Sequence, residues 1–442
     1  MAEKLLSVLD LPSIAVGQIL SYLSWEDKIS TSIAVPFWDG ILASASSWPF
    51  VVYENELMEN QYFIPERRKR FLSCIKYYGQ HIKNIKVEFA FEVGHGGLNI
   101  FRAISDCCVN LKGFWLIQEW EVGSIGIDLD VCAIESVCCI LRKCNKLQTV
   151  GINYCDNEFH VEQDVGLLEF IVDQNLAHKI TQLEVSCTLF YDDLEQRDFP
   201  LFTNFPNLQK LRTRRELMTS DLLLQLVNNS LNELTLVQEE ELPFPQQDDI
   251  NCEVWKRVMK IQPNFKMHLV MRYIMVIKEN FSQYMPLQSL ILDDLANIVT
   301  KGVLDHIIDC YSNTLTTFKY TNSLLENNEA GDKRLPLAIM DMVRRCPKFR
   351  TLHYGFPLSS TSVLLIAKTR KLKSLILHGV EISYENDWPK NAEWPPEFLH
   401  WLKECGSSER KLEETVSTLQ DKEWKLTYDP FTLDDKINAL FL

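Results

Sequence analysis

The sequence predicts an α/β fold in which a small unit of three helices precedes a curved solenoid, with parallel strands inside and helices outside. Two observations support this class. A short motif of three apolar residues recurs along the chain after about residue 80, and segments with apolar residues three and four positions apart lie between its copies. A single strand–helix unit cannot bury its apolar face alone, so such units are expected to stack.

The three N-terminal helices are predicted between residues 11 and 42. Pro12 fits a helix start, where its missing N–H is no loss. Ser24 opens the second helix as a capping box, Pro36 interrupts it, and a short third helix carries Trp38. The apolar residues of the first helix share one face: Ile19, Leu20 and Leu23. Three such helices cannot enclose a core of their own, so we expect them to lie against another surface.

The spacing in this segment resembles the F-box, the module that joins a substrate receptor to the Skp adaptor of a cullin–RING ubiquitin ligase. The matching positions are Leu11, Pro12, Ile19, Tyr22, Leu23, Asp27 and Trp38. The chain departs from the family pattern at Ile14, where Glu is usual, at Lys28, where Leu is usual, and at Pro36, where a basic residue is usual. The alternative is an ordinary helical cap on a larger domain.

The F-box resemblance also implies which side chains contact the adaptor. These are Leu11, Pro12, Ile19, Leu20, Leu23, Asp27, Ile29 and Trp38. Most are apolar, and we expect them to bury their surface against the adaptor as anchors.

The composition limits the function classes. With 46% hydrophobic and 11% aromatic residues, the 442-residue chain is able to bury a large core. A formal net charge of −15 argues against nucleic acid or an anionic membrane as partner. No apolar run reaches the roughly 18 residues that cross a bilayer, and we see no secretory signal. The 13 cysteines are expected to be reduced thiols, and the location to be cytoplasmic and/or nuclear.

The recurring motif is clearest at Leu147-x-x-Val150-x-Ile152-x-x-Cys155, which matches the leucine-rich repeat consensus. Further strands are predicted around residues 82–87, 111–116, 180–185, 208–211, 231–236, 265–271, 287–292, 315–320, 349–354 and 372–377, with a last candidate at 424–428. Helices are predicted at 132–143, 166–177, 219–228, 302–311 and 335–345. A doubly wound domain would need nearly continuous apolar strands, whereas these alternate with polar residues.

The domain boundaries follow from these segments. We predict an F-box at 1–50, a helical linker at 51–80, a leucine-rich-repeat solenoid with insertions at 81–430, and a C-terminal cap or tail at 431–442.

An F-box followed by leucine-rich repeats resembles a known architecture, the F-box only or F-box–LRR type of substrate receptor. The resemblance implies a non-catalytic subunit of a Skp–cullin–F-box ubiquitin ligase, which binds the adaptor through the F-box and a target protein through the repeats for proteasomal degradation. The alternative is a leucine-rich-repeat scaffold or adaptor protein that never recruits a cullin.

A basic strip is predicted on the inner face of the solenoid, because the side chains between the core positions of a strand point away from the helices. It consists of Lys210, Arg212, Arg214, Lys266 and His268. Such a strip is suited to an acidic or phosphorylated segment of a target protein. The alternative is a set of solvated faces balanced by Glu184 and Glu233.

Insertions after several strands offer a second candidate edge for binding. They span residues 118–130, 187–206, 238–254, 322–335 and 380–397, with aromatic residues at Trp120, Phe190, Tyr191, Trp388 and Trp394.

Catalytic and metal motifs are largely missing from the sequence. It contains no P-loop, no G-x-G-x-x-G and no G-x-S-x-G. His306 and Cys310 lie one helical turn apart, a spacing that a partly buried repeat helix explains. We therefore predict no catalytic residue, no metal and no cofactor. An enzyme with an unrecognised site is the weaker alternative.

Overall fold

The structure is a computed structural model that describes residues 11–55, 64–89, 95–118, 131–153, 167–185, 200–238, 250–272, 281–293, 299–321, 334–385 and 393–428. The chain divides into two compact units. Unit 1 comprises Met1–Arg214 with Asn228–Leu231, and unit 2 comprises Arg215–Val227 with Asn232–Leu442.

Unit 1 begins with short helices and continues as alternating strands and helices. Its helices are α1 (Ser13–Ser21), α2 (Trp25–Ala34), α3 (Asp39–Leu42), α4 (Ile64–Tyr78), α5 (His95–Cys107), α6 (Val131–Lys143) and α7 (Leu167–Asp173), with a 3-10 helix at Pro36–Trp38 before α3. Its strands are β1 (Val51–Asn55), β2 (Asn84–Phe89), β3 (Gly113–Gln118), β4 (Thr149–Asn153), β5 (Gln182–Val185) and β6 (Lys210–Arg214). Each strand pairs in parallel with the next one along the chain.

Unit 2 repeats the same pattern. The helices that begin in it are α8 (Ser220–Asn229), α9 (Cys252–Ile261), α10 (Lys301–Tyr311), α11 (Leu335–Arg345), α12 (Ser360–Thr369), α13 (Pro396–Cys405) and α14 (Glu409–Gln420). The strands are β7 (Glu233–Gln238), β8 (Lys266–Arg272), β9 (Leu287–Asp293), β10 (Thr317–Thr321), β11 (Thr351–Tyr354), β12 (Leu358–Ser359), β13 (Ser374–Leu377) and β14 (Ile382–Ser383). β7 to β11 and then β13 pair in parallel, whereas β12 pairs with β14 in a small separate sheet.

The predicted α/β solenoid of stacked strand–helix repeats is confirmed. Within each unit the neighbouring strands of the main sheet follow chain order, whereas a doubly wound sheet reverses its order at a switch point. In unit 1 the strand register aligns one apolar row through all the repeats, consisting of Val51, Ile85, Phe114, Val150, Leu183 and Leu211. None of these side chains is more than 2% exposed. Stacking therefore buries the apolar side chains that a single repeat would leave exposed.

Residues 51–80, predicted as a helical linker, contain a strand as well as α4. They begin with β1, which pairs with β2 in parallel, so this segment already belongs to the repeat sheet. Val51 and Tyr53 on β1 are 2% and 1% exposed. The strand was missed because it is five residues long and precedes the first full copy of the motif.

The strands of unit 2 also differ from the prediction of one-sided burial. Val237, Val270 and Ile291 lie on β7, β8 and β9, on the face opposite the core leucines, yet they are only 1%, 2% and 5% exposed. In unit 1, by contrast, β5 alternates between buried and partly exposed residues as predicted. The inner face of unit 2 is therefore buried at these strands rather than solvated.

The edge of β13 is closed by the last residue of α14 and the residues that follow it. The Gln420 side chain accepts from Leu372 N at 2.6 Å, Lys422 Nζ donates to Leu372 O at 2.9 Å, and Trp424 Nε1 donates to Leu375 O at 2.7 Å. We call residues 420–428 the C-terminal seal. The strand predicted at 424–428 is reduced to a single bridge at Thr427, and the cap predicted at 431–442 lies outside the described residues.

Candidate functional site

The N-terminal helices carry a concentration of exposed apolar side chains. Among the described residues, 13 large hydrophobic side chains are exposed, and nearly half of them lie between residues 11 and 37. We call this group the docking surface, which consists of Leu11, Ile14, Ile19, Tyr22, Ile33 and Phe37. Single exposed hydrophobic residues are ordinary, whereas a large contiguous apolar patch is typical of an interaction site.

The opposite face of α1 explains why these side chains remain outside. Val16, Gly17 and Leu20 point inward, and Leu20 is 0% exposed. Ile14 and Tyr22 lie on the other side of the helix and are 86% and 82% exposed. The helix is therefore apolar on both faces, and the described residues cover one of them.

The second helix starts as its sequence predicts. The Ser24 hydroxyl accepts from the backbone N–H of Asp27 at 3.0 Å, which confirms the capping interaction. The helix ends at Ala34, just before Pro36. This end leaves Ile33 on α2 74% exposed.

The N-terminal helices lie against α4, as expected of a unit too small for its own core. Trp25 on α2 packs edge-on against Phe71 on α4, with ring centroids 5.0 Å apart. Tyr53 on β1 stacks on the same Phe71 ring at 4.3 Å. Arg67 Nη2 on α4 forms an ion pair with Glu26 Oε1 at 2.8 Å. The attachment thus combines aromatic packing with one partly buried ion pair.

The adaptor contacts implied by the resemblance fall into three groups by exposure. Leu11, Pro12, Ile19 and Asp27 are exposed, and Leu23 and Ile29 are half-buried. Leu20 is 0% exposed and Trp38 is 9% exposed, so both pack inside the chain and offer a partner almost no surface. For these two residues the expectation is corrected to a structural role.

The site list from the sequence omitted four exposed members of the docking surface: Ile14, Tyr22, Ile33 and Phe37. Their signal was available in part, because they add apolar residues to helix faces opposite the predicted core face. Which of the two faces would be covered depended on the packing against α3 and α4.

The basic strip is interrupted on the unit 1 side. Arg212 Nε on β6 lies 3.0 Å from Glu184 Oε1 on β5, so its charge is balanced on the neighbouring strand. Lys210 is half-buried, and Arg214 is only 6% exposed. Arg214 therefore has little surface for a target protein in this conformation.

The two predicted basic residues of unit 2 likewise lie beside an acidic side chain. Glu233 on β7 faces both predicted residues of β8, with Lys266 Nζ at 3.4 Å and His268 Nε2 at 3.8 Å. His268 is 9% exposed, and only Lys266 presents an exposed side chain. Deeper in the unit, Lys319 Nζ lies 3.7 Å from Asp293 Oδ2. The arrangement favours locally balanced strand faces over a strip of one sign.

Trp115 occupies the inner face of unit 1 in a site made by two glycines. Its indole lies against Gly113 on β3 and Gly151 on β4, where a Cβ atom would come within 2.5 Å of Trp115 Cη2 and within 2.8 Å of Trp115 Cγ respectively. Phe50 flanks it, with ring centroids 5.5 Å apart. Trp115 is 4% exposed, so it is a packed side chain rather than an open platform.

We next consider cysteine thiols, metal ligands and membrane-spanning helices in the described part of the chain. Cys310 Sγ lies 3.7 Å from His306 Nε2, but desolvation raises the pKa of the Cys310 thiol, which disfavours the thiolate. Burial also raises the pKa of Cys144 to about 11. No group of three or more His, Cys, Asp or Glu side chains in the described ranges is arranged to hold a metal ion. Among the described helices, none combines the length and apolarity that crossing a membrane requires.

Most of the predicted insertions, with Trp120, Phe190, Tyr191 and Trp388, lie outside the described residues. Trp394 is described, and it packs edge-on against Phe398 on α13 at a centroid distance of 5.4 Å.

Comparison with known proteins found similar solved structures. No protein family model matches the chain, and no curated protein does. One similar structure is the leucine-rich repeat-containing protein LegL7 from Legionella pneumophila, with 11% identity, a TM-score of 0.37, and coverage of 84% of this chain and 98% of LegL7. Another is TLR13 in its complex with ssRNA13, with 12% identity, a TM-score of 0.32, and coverage of 75% of this chain and 46% of TLR13.

With TM-scores below 0.5, the fold of this chain rests on its own strands and helices. They define an α/β protein of the leucine-rich-repeat solenoid type, with short helices at its N-terminal side.

Proposed function

We propose that this chain is a non-catalytic protein-interaction receptor that docks on a second protein through the docking surface. The partner in this proposal is a Skp-family adaptor, and through it a cullin–RING ubiquitin ligase. The repeats hold a target protein. Such a receptor acts in the cytoplasm or the nucleus.

One observation carries the proposal. The N-terminal helices are fixed to α4 on one side and present Ile14, Tyr22, Ile33 and Phe37 on the outside, each more than half exposed. Burying such a side chain contributes about 1.5–3 kcal/mol, before the entropic cost of association is subtracted. A few of them together are sufficient for a stable complex, whereas exposed to water they stabilise nothing.

The F-box resemblance supports the adaptor as the partner. Leu11, Pro12 and Ile19 belong both to the matching spacing and to the exposed part of these helices. They adjoin the additional exposed residues along α1, so resemblance and exposure converge on one segment of the chain.

The adaptor proposal is tested by isothermal titration of the purified full chain with purified Skp adaptor. The triple variant I14D/I33D/F37D is expected to bind the adaptor at least 100-fold more weakly, because it places charges on apolar surface that the adaptor would bury in the complex. All three side chains are more than half exposed, so circular dichroism should show an unchanged fold.

The matched control is Leu337→Asp, which changes an exposed apolar residue, 55% accessible, on α11. We expect its affinity for the adaptor to equal that of the wild type. A wild-type chain that fails to bind the adaptor would exclude the ligase role. Equal losses in L337D and the triple variant would exclude the docking surface.

A second candidate is a repeat scaffold in which α1 to α3 serve only as an end cap on α4. The burial of Leu20 and Trp38 favours it, since two residues that the resemblance assigns to the adaptor are used inside the chain. In that case the triple variant and the wild type behave alike toward the adaptor and cullin, and neither binds them.

A further inference from the structure

An unpaired amine lies between the N-terminal helices and α4. Lys28 on α2 is 0% exposed, and its Nζ atom has no hydrogen-bond acceptor within the described residues. The amine lies 5.0 Å from the centroid of the Trp48 ring, so a cation–π contact replaces part of the lost hydration. A buried ammonium without an acceptor is nevertheless costly, because desolvation disfavours its charge.

The neighbouring charged and titratable groups do not relieve this cost. Those near this interface are Glu26 on the same helix, Arg67, Arg68, Cys74 and Tyr78 on α4, Tyr53 on β1, and Asp39 on α3. Glu26 is bonded to Arg67, and Asp39 accepts the Tyr78 hydroxyl. Burial raises the pKa of Cys74 to about 12, so this thiol stays neutral and offers no counter-charge.

A second polar atom at the same interface also lacks a partner. Trp25 is 3% exposed, and its Nε1 has no acceptor in the part of the chain that the structure describes. Aromatic packing of Trp25 on Phe71 therefore holds the interface together, while the two unsatisfied polar groups oppose it. An attachment balanced in this way responds to a change in either group.

We propose that Lys28 is a proton-sensitive switch. Its protonated amine favours an opened state, in which the N-terminal helices are detached from α4, and its neutral amine favours the closed state, in which they pack against α4. The proposal concerns the chain alone and does not depend on which protein the docking surface binds. It would give the presentation of that surface a dependence on pH.

The sign follows from the two states of the lysine. In the opened state Lys28 is solvated, with a pKa near 10.5, whereas desolvation lowers its pKa to about 8 in the closed state. The opened state therefore binds more protons between these values, and closing becomes more favourable as the pH rises through 8 toward 10.5. From pH 7 to pH 9 the opening equilibrium should fall about tenfold.

Alkylation of Cys74 by iodoacetamide measures the opening. Cys74 is 1% exposed, and its thiol lies close enough to Lys28 and Glu26 on α2 to interact with them electrostatically, so we expect lifting of α2 to expose it to the reagent. Labelling is quantified by mass spectrometry on the full chain at pH 7, 8 and 9. The rate ratio of the wild type to Lys28→Met cancels the pH dependence of the alkylation itself. This ratio is expected to fall about tenfold across the range.

Three controls sharpen the result. Lys69→Met removes an exposed lysine of α4, whose side chain is 73% accessible, and should reproduce the wild-type profile. Cys346 in unit 2 is 0% exposed and should show a ratio that does not vary with pH. If K28M does not fold, the wild-type rate divided by that of an unfolded peptide of residues 70–78 gives the same tenfold fall. A ratio for Cys74 that is constant from pH 7 to pH 9 overturns the proposal.

Discussion

An alanine at position 424 is expected to lower the free energy of unfolding by about 4 kcal/mol. Trp424 is 5% exposed, and its Nε1 donates to the Leu375 carbonyl on the edge strand β13 at 2.7 Å. The substitution leaves a cavity under the C-terminal seal and a buried carbonyl without its donor, and these two costs add. Urea unfolding followed by circular dichroism measures the change.

Trp424→Phe separates the two costs, because it keeps most of the ring volume and removes only the donor. We expect it to lose about 1 kcal/mol. W424A also uncovers the edge of β13, and an open edge pairs with other chains, so sedimentation velocity should detect dimers of W424A but not of W424F. Equal losses of stability in the two variants would show that the ring does not seal the edge.

Gly151→Ala is expected to lower the free energy of unfolding by about 2–3 kcal/mol. A Cβ atom at this position would lie 2.8 Å from Cγ of Trp115 and 2.9 Å from its Nε1, well inside van der Waals contact. Trp115 is 4% exposed and has no room to move away, so the sheet must distort. The loss is measured by thermal and urea unfolding.

The cause of that loss is tested by a double-mutant cycle. In a Trp115→Ala background, Gly151→Ala should cost less than about 0.5 kcal/mol, because the ring that it meets is gone. Gly40→Ala is the matched control, since a Cβ at Gly40 meets nothing within 4 Å, and it should leave stability equal or slightly higher. An undiminished cost of G151A without Trp115 would place the conflict elsewhere.

Much of the fold was predictable from local patterns. The motif around Leu147, Val150 and Ile152 indicated a strand, and the structure has β4 there. Ser24 indicated a helix start, and its hydroxyl caps α2. These predictions succeed because strand alternation and helix capping depend on residues within a few positions of one another.

The candidate site was predictable only in part. The segment of the docking surface followed from apolar spacing and the F-box resemblance, but its members did not, since Leu20 turned inward and Ile14 outward. Both are apolar residues of α1, and periodicity alone does not indicate which face of a short helix another element will cover. For the basic strip, the structure favours the alternative stated from the sequence, because Glu184 and Glu233 on the neighbouring strands pair with Arg212 and Lys266.

Repetition of a short apolar motif was sufficient to establish a stacked α/β solenoid, because each repeat encodes its own buried face. Three features depended on contacts between residues distant in sequence. These are the burial of Lys28, on α2, against the Trp48 ring, the inner-face row of Val237, Val270 and Ile291, and the closing of β13 by Gln420 and Trp424. Tertiary packing determines which surface covers a side chain. It therefore also determines whether a buried polar group has a hydrogen-bond partner and whether an apolar face stays exposed.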